Sequence, residues 1–131
     1  MNSITAELNV DLQKAEEIVT EELKKVGFGV LTKIDVSKTL KEKIDVDFQP
    51  LIILGACNPK FAHRALSHDI NLSLLLPCNV TLSTATGSDK IIVKSVDPRD
   101  LIEGDELSEL AGEAFEKLSQ ALNNARNVAN G

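Results

Sequence analysis

The sequence predicts an α+β domain: a curved antiparallel or mixed sheet of about five strands, with two long helices packed on one face. One observation is the period-2 alternation at the start of the chain, and another is the helical spacing of two long segments. A third is the segment order β-α-β-β-β-β-α with short helical insertions, which is not a regular βαβ alternation. With 131 residues, 43% of them hydrophobic, the chain is long enough for one core, and we expect a single domain over 1–131.

The first strand and helix are predicted from adjacent patterns. Residues 4–10 alternate apolar and polar side chains, which is typical of a half-buried strand. Asp11 is a suitable helix N-cap, and the apolar residues of 12–26 recur at helical spacing. Gly27 is a natural residue for the end of that helix.

The middle of the chain is predicted to return to the sheet twice. A second strand is expected over 28–34, with Phe28, Val30 and Ile34 on one face. A short lysine-rich helix follows over 36–44. The third strand, 51–56, is continuously apolar, which predicts burial on both faces.

A short helix is predicted after the third strand. Asn58 is suited to the N-cap, and Pro59 to the first helical position, where its missing N–H costs nothing. The helix then covers residues 60–66 in about two turns.

The last third of the chain contains two strands and the longest helix. Residues 72–83 are predicted as one long strand, or as two pieces hinged at Pro77. Residues 91–96 form the next strand, which Asp97-Pro98 ends, and 105–127 form a long helix. The tail, about 127–131, is expected to fray.

Charge and composition exclude several functional classes. The net charge is −6, and residues 97–131 carry eight acidic and three basic residues. With no Trp or Tyr for base stacking, nucleic acid is not an expected partner. The chain has no apolar run of about 18 residues and no signal peptide, so we expect no membrane association and a cytoplasmic location for its two thiols.

Eight segments spread along the chain carry a family likeness: Gly27–Thr32, Ile34–Val36, Thr39–Lys43, Val46–Phe48, Ile53–Pro59, Ala62–Leu66, Leu74–Val80 and Asp97-Pro98. Together they resemble a small prokaryotic family known only as domain of unknown function 302. The resemblance covers nearly the whole chain and implies a fold like that of the TATA-binding protein, usually paired as a homodimer. It implies no activity, but some relatives lie beside sulfur-trafficking genes, which implies sulfur-trafficking partner proteins. Asp45 departs from the pattern, where a glycine is expected, so the turn there is expected to be less sharp.

The stretch from Leu51 to Leu82 holds both cysteines and is the predicted functional site. Cys57 directly precedes a helix start, whose free amides and positive dipole end would lower a thiol pKa, and Arg64 would add to this effect if it folded back. A second interpretation makes Cys57 a small buried residue that ends a core strand. Both interpretations remain open.

The residues near Cys57 can likewise be interpreted as functional or as structural. Cys78 alternates with apolar residues and is expected in the core, whereas Asn79 points to the other face, where it serves a pocket rim or an edge. His63 is a packing or surface residue, or a metal ligand with the two cysteines in an incomplete shell. The predicted ligand-binding set is Cys57, Asn58, His63, Arg64, Cys78 and Asn79, and the metal set is Cys57, Cys78 and His63.

Three functional hypotheses follow from this site. The first is a binding module that holds a soft ligand at the two thiols: a sulfur species, a metal or haem. The second is an assembly protein without a ligand, whose acidic helix or open sheet face makes the contact. The third is a thiol-dependent sulfur-transfer or redox enzyme. An enzyme is the less favoured expectation, because the chain has no GxSxG, HExxH, GxGxxG or P-loop motif.

Overall fold

The computed structural model describes residues 2–102 and 104–131. The strands are β1 Ser3–Leu8, β2 Gly29–Asp35, β3 Leu51–Cys57, β4 Cys78–Thr84 and β5 Ile91–Val96. The helices are α1 Leu12–Lys25, α2 Val36–Ile44, α3 Pro59–His68, α4 Pro98–Leu101 and α5 Asp105–Asn130, with a 3-10 segment over Ile70–Leu75. The sheet order is β1-β5-β4-β3-β2, and each neighbouring pair is antiparallel. The predicted α+β class is therefore confirmed.

The main core lies between the sheet and the two long helices. Inward side chains of the strands meet those of α1 and α5 in one cluster of buried residues. Each large aliphatic side chain buried there contributes roughly 1.5–3 kcal/mol. The largest fully buried members include Leu8, Leu23, Leu54, Leu82, Leu118 and Leu122.

A second, smaller core lies beside the first, where α3 and the 3-10 segment pack against α5. Its buried members are Ala65, Leu107 and Leu110. Phe61 contacts both cores, and its ring lies 6.1 Å from that of Phe28 in an edge-to-face arrangement. The boundary between the two cores is therefore lined by aromatic and small aliphatic side chains.

Strand β2 contains an irregularity that the alternation did not predict. The register shifts between Val30 and Thr32, so Lys33 pairs with the inward Leu54 and Ile34 pairs with Ile53. Ile34 is consequently half exposed, whereas Lys33 reaches Glu16 of α1 at 2.9 Å. The predicted common face of Val30 and Ile34 is wrong, because a bulge reverses the faces beyond it.

The segment before β4 is helical, so the predicted long strand over 72–83 is wrong in its first half. Asp69 caps the 3-10 segment by accepting from the backbone N–H of Asn71 at 2.9 Å, and Leu72 packs on the second core. A short apolar run satisfies a strand or a buried helical turn equally well, which explains the error. The strand itself begins at Cys78, directly after Pro77.

Strand β3 is buried along one face, and on the other face only Gly55 is buried. Ile52, Leu54 and Ala56 point into the main core, whereas Leu51 and Ile53 lie half-buried on the opposite face of the sheet. No long helix of the described chain packs there. The expected burial of β3 on both faces is therefore wrong.

The chain end and the α2 end also differ from expectation. Helix α5 continues to Asn130, whose side-chain amide bonds the backbone of β1 and its following turn: Nδ2 donates to Glu7 O at 3.0 Å, and Asn9 N donates to Oδ1 at 2.7 Å. The predicted fraying over 127–131 is wrong, because β1 holds this end.

Asp45 adopts the left-handed conformation usual for glycine (φ 54°), so α2 ends sharply.

Within the residues described here, no helix has the length and apolar character needed to cross a lipid bilayer.

Candidate functional site

A small pocket lies where the two cores meet, at the ends of β3 and β4. Its volume is about 30 Å³, and its walls include Cys57, Asn58 and Cys78. The remaining walls are apolar and include Phe28, Ala56, Phe61, Leu110, Ala114 and Pro98. That volume holds about two water-sized groups. The pocket therefore suits a ligand of a few atoms.

The two thiols are brought together by the pairing of β3 with β4. Ala56 lies opposite Cys78 in the ladder, and Cys57 is the next residue along β3. Both cysteines are unbridged, with Cys78 buried and Cys57 partly exposed. Burial, with a smaller contribution from Cys57, raises the pKa of Cys78 to about 11. Cys78 is therefore a neutral thiol near pH 7, as expected of a core cysteine.

Burial also raises the pKa of Cys57. The lowered pKa expected from the start of α3 is therefore wrong in direction, and the amides at that helix start have other acceptors. The backbone N–H groups of Lys60 and Phe61 donate to Asn58 Oδ1 at 3.1 and 3.3 Å. Pro59 has no N–H, and Ala62 N donates to the carbonyl oxygen of Asn58 at 2.9 Å. The first-turn amides are thus bonded to Asn58 instead of to the thiol.

Asn58 has a second contact that fixes the pocket wall. A Cβ built on Gly27 would lie 2.9 Å from Nδ2 of Asn58, and Gly27 has a φ of +89°. Glycine is thus needed there both for the backbone conformation and for the close approach of Asn58. The end of α1 is held against the start of α3 in this way. Helix-end patterns predicted each residue separately but not their contact.

His63 and Arg64 lie on the exposed face of α3, and neither lines the pocket. The guanidinium of Arg64 does not fold back toward β3; its Nη1 lies 3.9 Å from Oε2 of Glu113 on α5. Among the described residues, no three His, Cys, Asp or Glu side chains are grouped closely enough to hold a metal ion. Cys57, Cys78 and His63 are therefore not assembled as a metal shell.

Haem does not fit the pocket as it is shaped in this structure. Sites for ligands of drug size are roughly 300–1,000 Å³, about ten to thirty times the volume of this pocket. A porphyrin would require α3 to separate from α5.

Asn79 lies on the opposite face of β4 from Cys78, away from the thiol pocket. It lines an open groove of about 400 Å³ with Ser3, Thr81, Lys94 and Val96. The predicted role of Asn79 at a pocket rim therefore concerns this groove and not the thiol pocket. The sequence prediction did not single out Lys94 of this groove, because a single lysine in a strand carries no motif.

A buried carboxylate was also missed by the sequence prediction. Asp97 caps α4 by accepting from Arg99 N at 2.9 Å, and its oxygens lie 2.8–3.2 Å from the guanidinium nitrogens of Arg99. The guanidinium lies over the Phe115 ring, with its carbon 3.6 Å from the centroid. Hydrogen bonds from Arg99 lower the pKa of Asp97. Pro98, the next residue, lines the thiol pocket.

The five-stranded antiparallel sheet and its packed helices make this chain a small α+β domain of the type that the sequence resembles. A family model described as "Domain of unknown function DUF302" matches residues 4–125, and the chain belongs to this family. It is similar to an uncharacterized conserved DUF302 protein from Bacillus stearothermophilus, solved by crystallography, at 28% identity and a TM-score of 0.87. The match covers 96% of this chain and 99% of the other. A comparison with curated proteins found no match.

Proposed function

We propose that this protein is a cytoplasmic homodimeric binding module that carries a small sulfur species on Cys57. The observation that supports this most is the pocket of about 30 Å³, which is walled by two thiols and apolar side chains. Such a pocket has space for one or two heavy atoms attached to Cys57, and its lining is largely apolar. A sulfur atom is soft and weakly hydrated, so it suits these walls.

The small volume of the pocket and its two thiol side chains favour a sulfur species over a metal or haem. A metal would need further donors beside the two thiols, and haem would need a far larger cavity. Sulfane sulfur needs a single attachment point and little space. A partner protein that supplies or accepts sulfur belongs to the same proposal.

The loading step is a sulfur transfer without net oxidation. The Cys57 thiolate attacks the outer sulfur of a low-molecular-weight persulfide, R–S–SH, forming a new S–S bond to Cys57 as the S–S bond of the donor breaks. The departing R–S⁻ takes up the proton that Cys57 lost, and the products are a Cys57 persulfide and R–SH. Because the pKa of Cys57 is raised, loading should speed up as the pH rises.

Cys78 acts as a neutral wall of the pocket. With a pKa of about 11, it is almost entirely protonated near pH 7 and is a poor nucleophile. It therefore leaves a persulfide on Cys57 intact instead of displacing it. An arrangement that keeps the persulfide intact suits a sulfur carrier better than an enzyme.

Intact-protein mass spectrometry after treatment with glutathione persulfide tests the proposal. We expect the wild type and Cys78→Ser to gain one sulfur atom, located at residue 57 by peptide mapping, and Cys57→Ser to gain none. A wild-type protein that gains no sulfur, or gains it equally at both cysteines, would contradict the proposal. Far-UV circular dichroism of each variant shows that it is folded.

A second candidate function, an assembly protein without a ligand, is favoured by the raised pKa of both thiols. In that case the two cysteines are packing residues of the pocket wall, and replacing both by alanine lowers stability while leaving assembly intact. Sulfur loading separates the two functions, because an assembly protein does not require it.

The homodimer is proposed from the apolar side chains around the edge strand β2. Leu31, Ile44, Val46 and Phe48 are exposed on β2, α2 and the connection to β3. Exposed apolar side chains concentrated in one region commonly mark an interface. We expect a dimer in sedimentation velocity and a shift toward monomer for Ile44→Glu with Phe48→Glu. Leu74→Glu, an exposed apolar residue on the 3-10 segment, is the matched control, and an equal shift in it would contradict this interface.

A further inference from the structure

The face of the sheet turned away from α1 and α5 carries a groove that the proposed sulfur site does not use. Its volume is about 400 Å³, and it crosses β1, β5 and β4. In the ladder, Lys94 lies between Thr5 of β1 and Thr81 of β4. Ser3 lies opposite Val96, and Asn79, the residue before Val80 on β4, lines the same groove. A cation is thus surrounded by hydroxyl and amide groups on an open surface.

The charge of Lys94 is available to a ligand. Among the described residues Lys94 forms no ion pair, whereas Glu7, the carboxylate on the same face of β1, lies 3.8 Å from Lys90. Threonine hydroxyls and the Asn79 amide add hydrogen-bond donors around the ammonium group. These groups are complementary to a compact anionic head.

The same row becomes apolar beyond Thr81. Thr81 lies opposite Ile53 of β3, and Ile53 lies opposite Ile34 of β2. Neighbouring strands are about 4.8 Å apart, so Lys94 and Ile34 are separated by about 14 Å across the sheet. A ligand lying across the strands would therefore meet a cation at one end and aliphatic side chains at the other.

We propose that this face binds a small organic anion with an apolar tail, its head at Lys94 and its tail across Ile53 toward Ile34. Thr5, Thr81 and Asn79 donate hydrogen bonds to the head. The site lies on the opposite side of β4 from Cys78, so it is independent of the sulfur proposal. The proposal also gives a role to Asn79, which does not line the thiol pocket.

Octanoate is the probe, and isothermal titration calorimetry with backbone amide NMR is the measurement. We expect saturable binding, with shifts at β5, β4 and β3 residues of this face. Lys94→Gln should weaken binding about tenfold, because a hydrogen bond to a charged group is lost. Lys94→Arg should retain binding, and Lys38→Gln on α2 is the matched surface control.

A second variant tests the contact between the apolar tail of the ligand and β3. Ile53→Ser should weaken octanoate more than acetate, since acetate has no chain to place on β3. Absence of saturable octanoate binding would overturn the proposal, as would a Lys94→Gln variant that binds like the wild type. The proposal would equally fail if the shifts fell on α3 and the thiol pocket. Sulfur loading of Cys57 is measured separately, so either proposal can fail without the other.

Discussion

Two strand-to-helix junctions of this protein use the same local design but differ in charge. At the end of β3, Asn58-Pro59 starts α3, and at the end of β5, Asp97-Pro98 starts α4. In each, proline occupies the first helical position and the cap side chain accepts backbone N–H groups, two at Asn58 and one at Asp97. The cap beside the thiols is neutral, whereas the other is a carboxylate held by Arg99.

The difference shows how each junction is stabilised and at which pH it weakens. Asn58 keeps the pocket free of formal charge, and the thiols beside it have raised pKa values because they are buried. Asp97 is buried as a charge, and the nearby guanidinium of Arg99 lowers its pKa. The first junction should therefore be sensitive to alkali and the second to acid.

The largest effect is expected at the charged junction. Asp97→Ala removes the α4 cap and leaves the Arg99 guanidinium without its carboxylate, which should lower the free energy of unfolding by about 3 kcal/mol. Urea unfolding followed by circular dichroism measures this change. Asp89→Ala, in the exposed turn between β4 and β5, is the control. A loss at Asp97 no greater than the loss at Asp89 would show that the cluster is not stabilising.

The next effect is alkaline destabilisation at the neutral junction. The pKa of Cys78 is raised from 9.0 to about 11, so its stabilising contribution is complete below the unfolded value. It is lost as the pH rises through the folded value, because the unfolded thiol ionises first. We expect a loss of about 2 kcal/mol between pH 9 and pH 11.

The Cys78→Ala variant isolates this thiol. The lysines titrate in the same pH range but are common to both proteins, so the difference between the two unfolding profiles reports Cys78. Parallel profiles for wild type and variant would disprove the contribution.

A smaller effect is expected from the neutral cap. Asn58→Ala leaves the N–H groups of Lys60 and Phe61 without their acceptor and should cost about 1 kcal/mol. It also frees these amides to face Cys57, so iodoacetamide should alkylate Cys57 faster than in the wild type at the same pH. Asn58→Asp, which keeps the cap and adds a negative charge, should slow alkylation. If both variants change the rate in the same direction, Asn58 does not control the thiol.

The smallest expected effect is the loss of stability in acid at the charged junction, Asp97-Pro98. The folded pKa of Asp97 is lowered, so its contribution is present above the unfolded value, about pH 4, and is lost as the pH falls through the folded value. Asp97→Asn should therefore unfold with a shallower pH dependence below about pH 4 than the wild type does. Equal slopes in thermal unfolding across that range would contradict this assignment.

Local patterns were sufficient where a neighbour in sequence makes the contact. Asp11, Asn58 and Asp35 accept backbone N–H groups two or three residues ahead. For Asn58 and Asp11 the cap was predicted, because the acceptor and its amides are separated by a fixed chain length. The α+β class followed from such elements and from the family resemblance.

The tertiary structure alone decided the properties that depend on residues distant in sequence. The β2 bulge turned Ile34 outward and Lys33 toward α1, and β1 ordered the chain end through Asn130. The meeting of β3 with β4 placed Cys57 beside Cys78, which no spacing rule required. Sequence placed Cys57 correctly at a helix start, but burial in the folded chain raises its pKa, and Asn58 accepts the amides at that helix start. Burial and hydrogen-bond competition are properties of the folded chain, because water satisfies these groups until packing removes it.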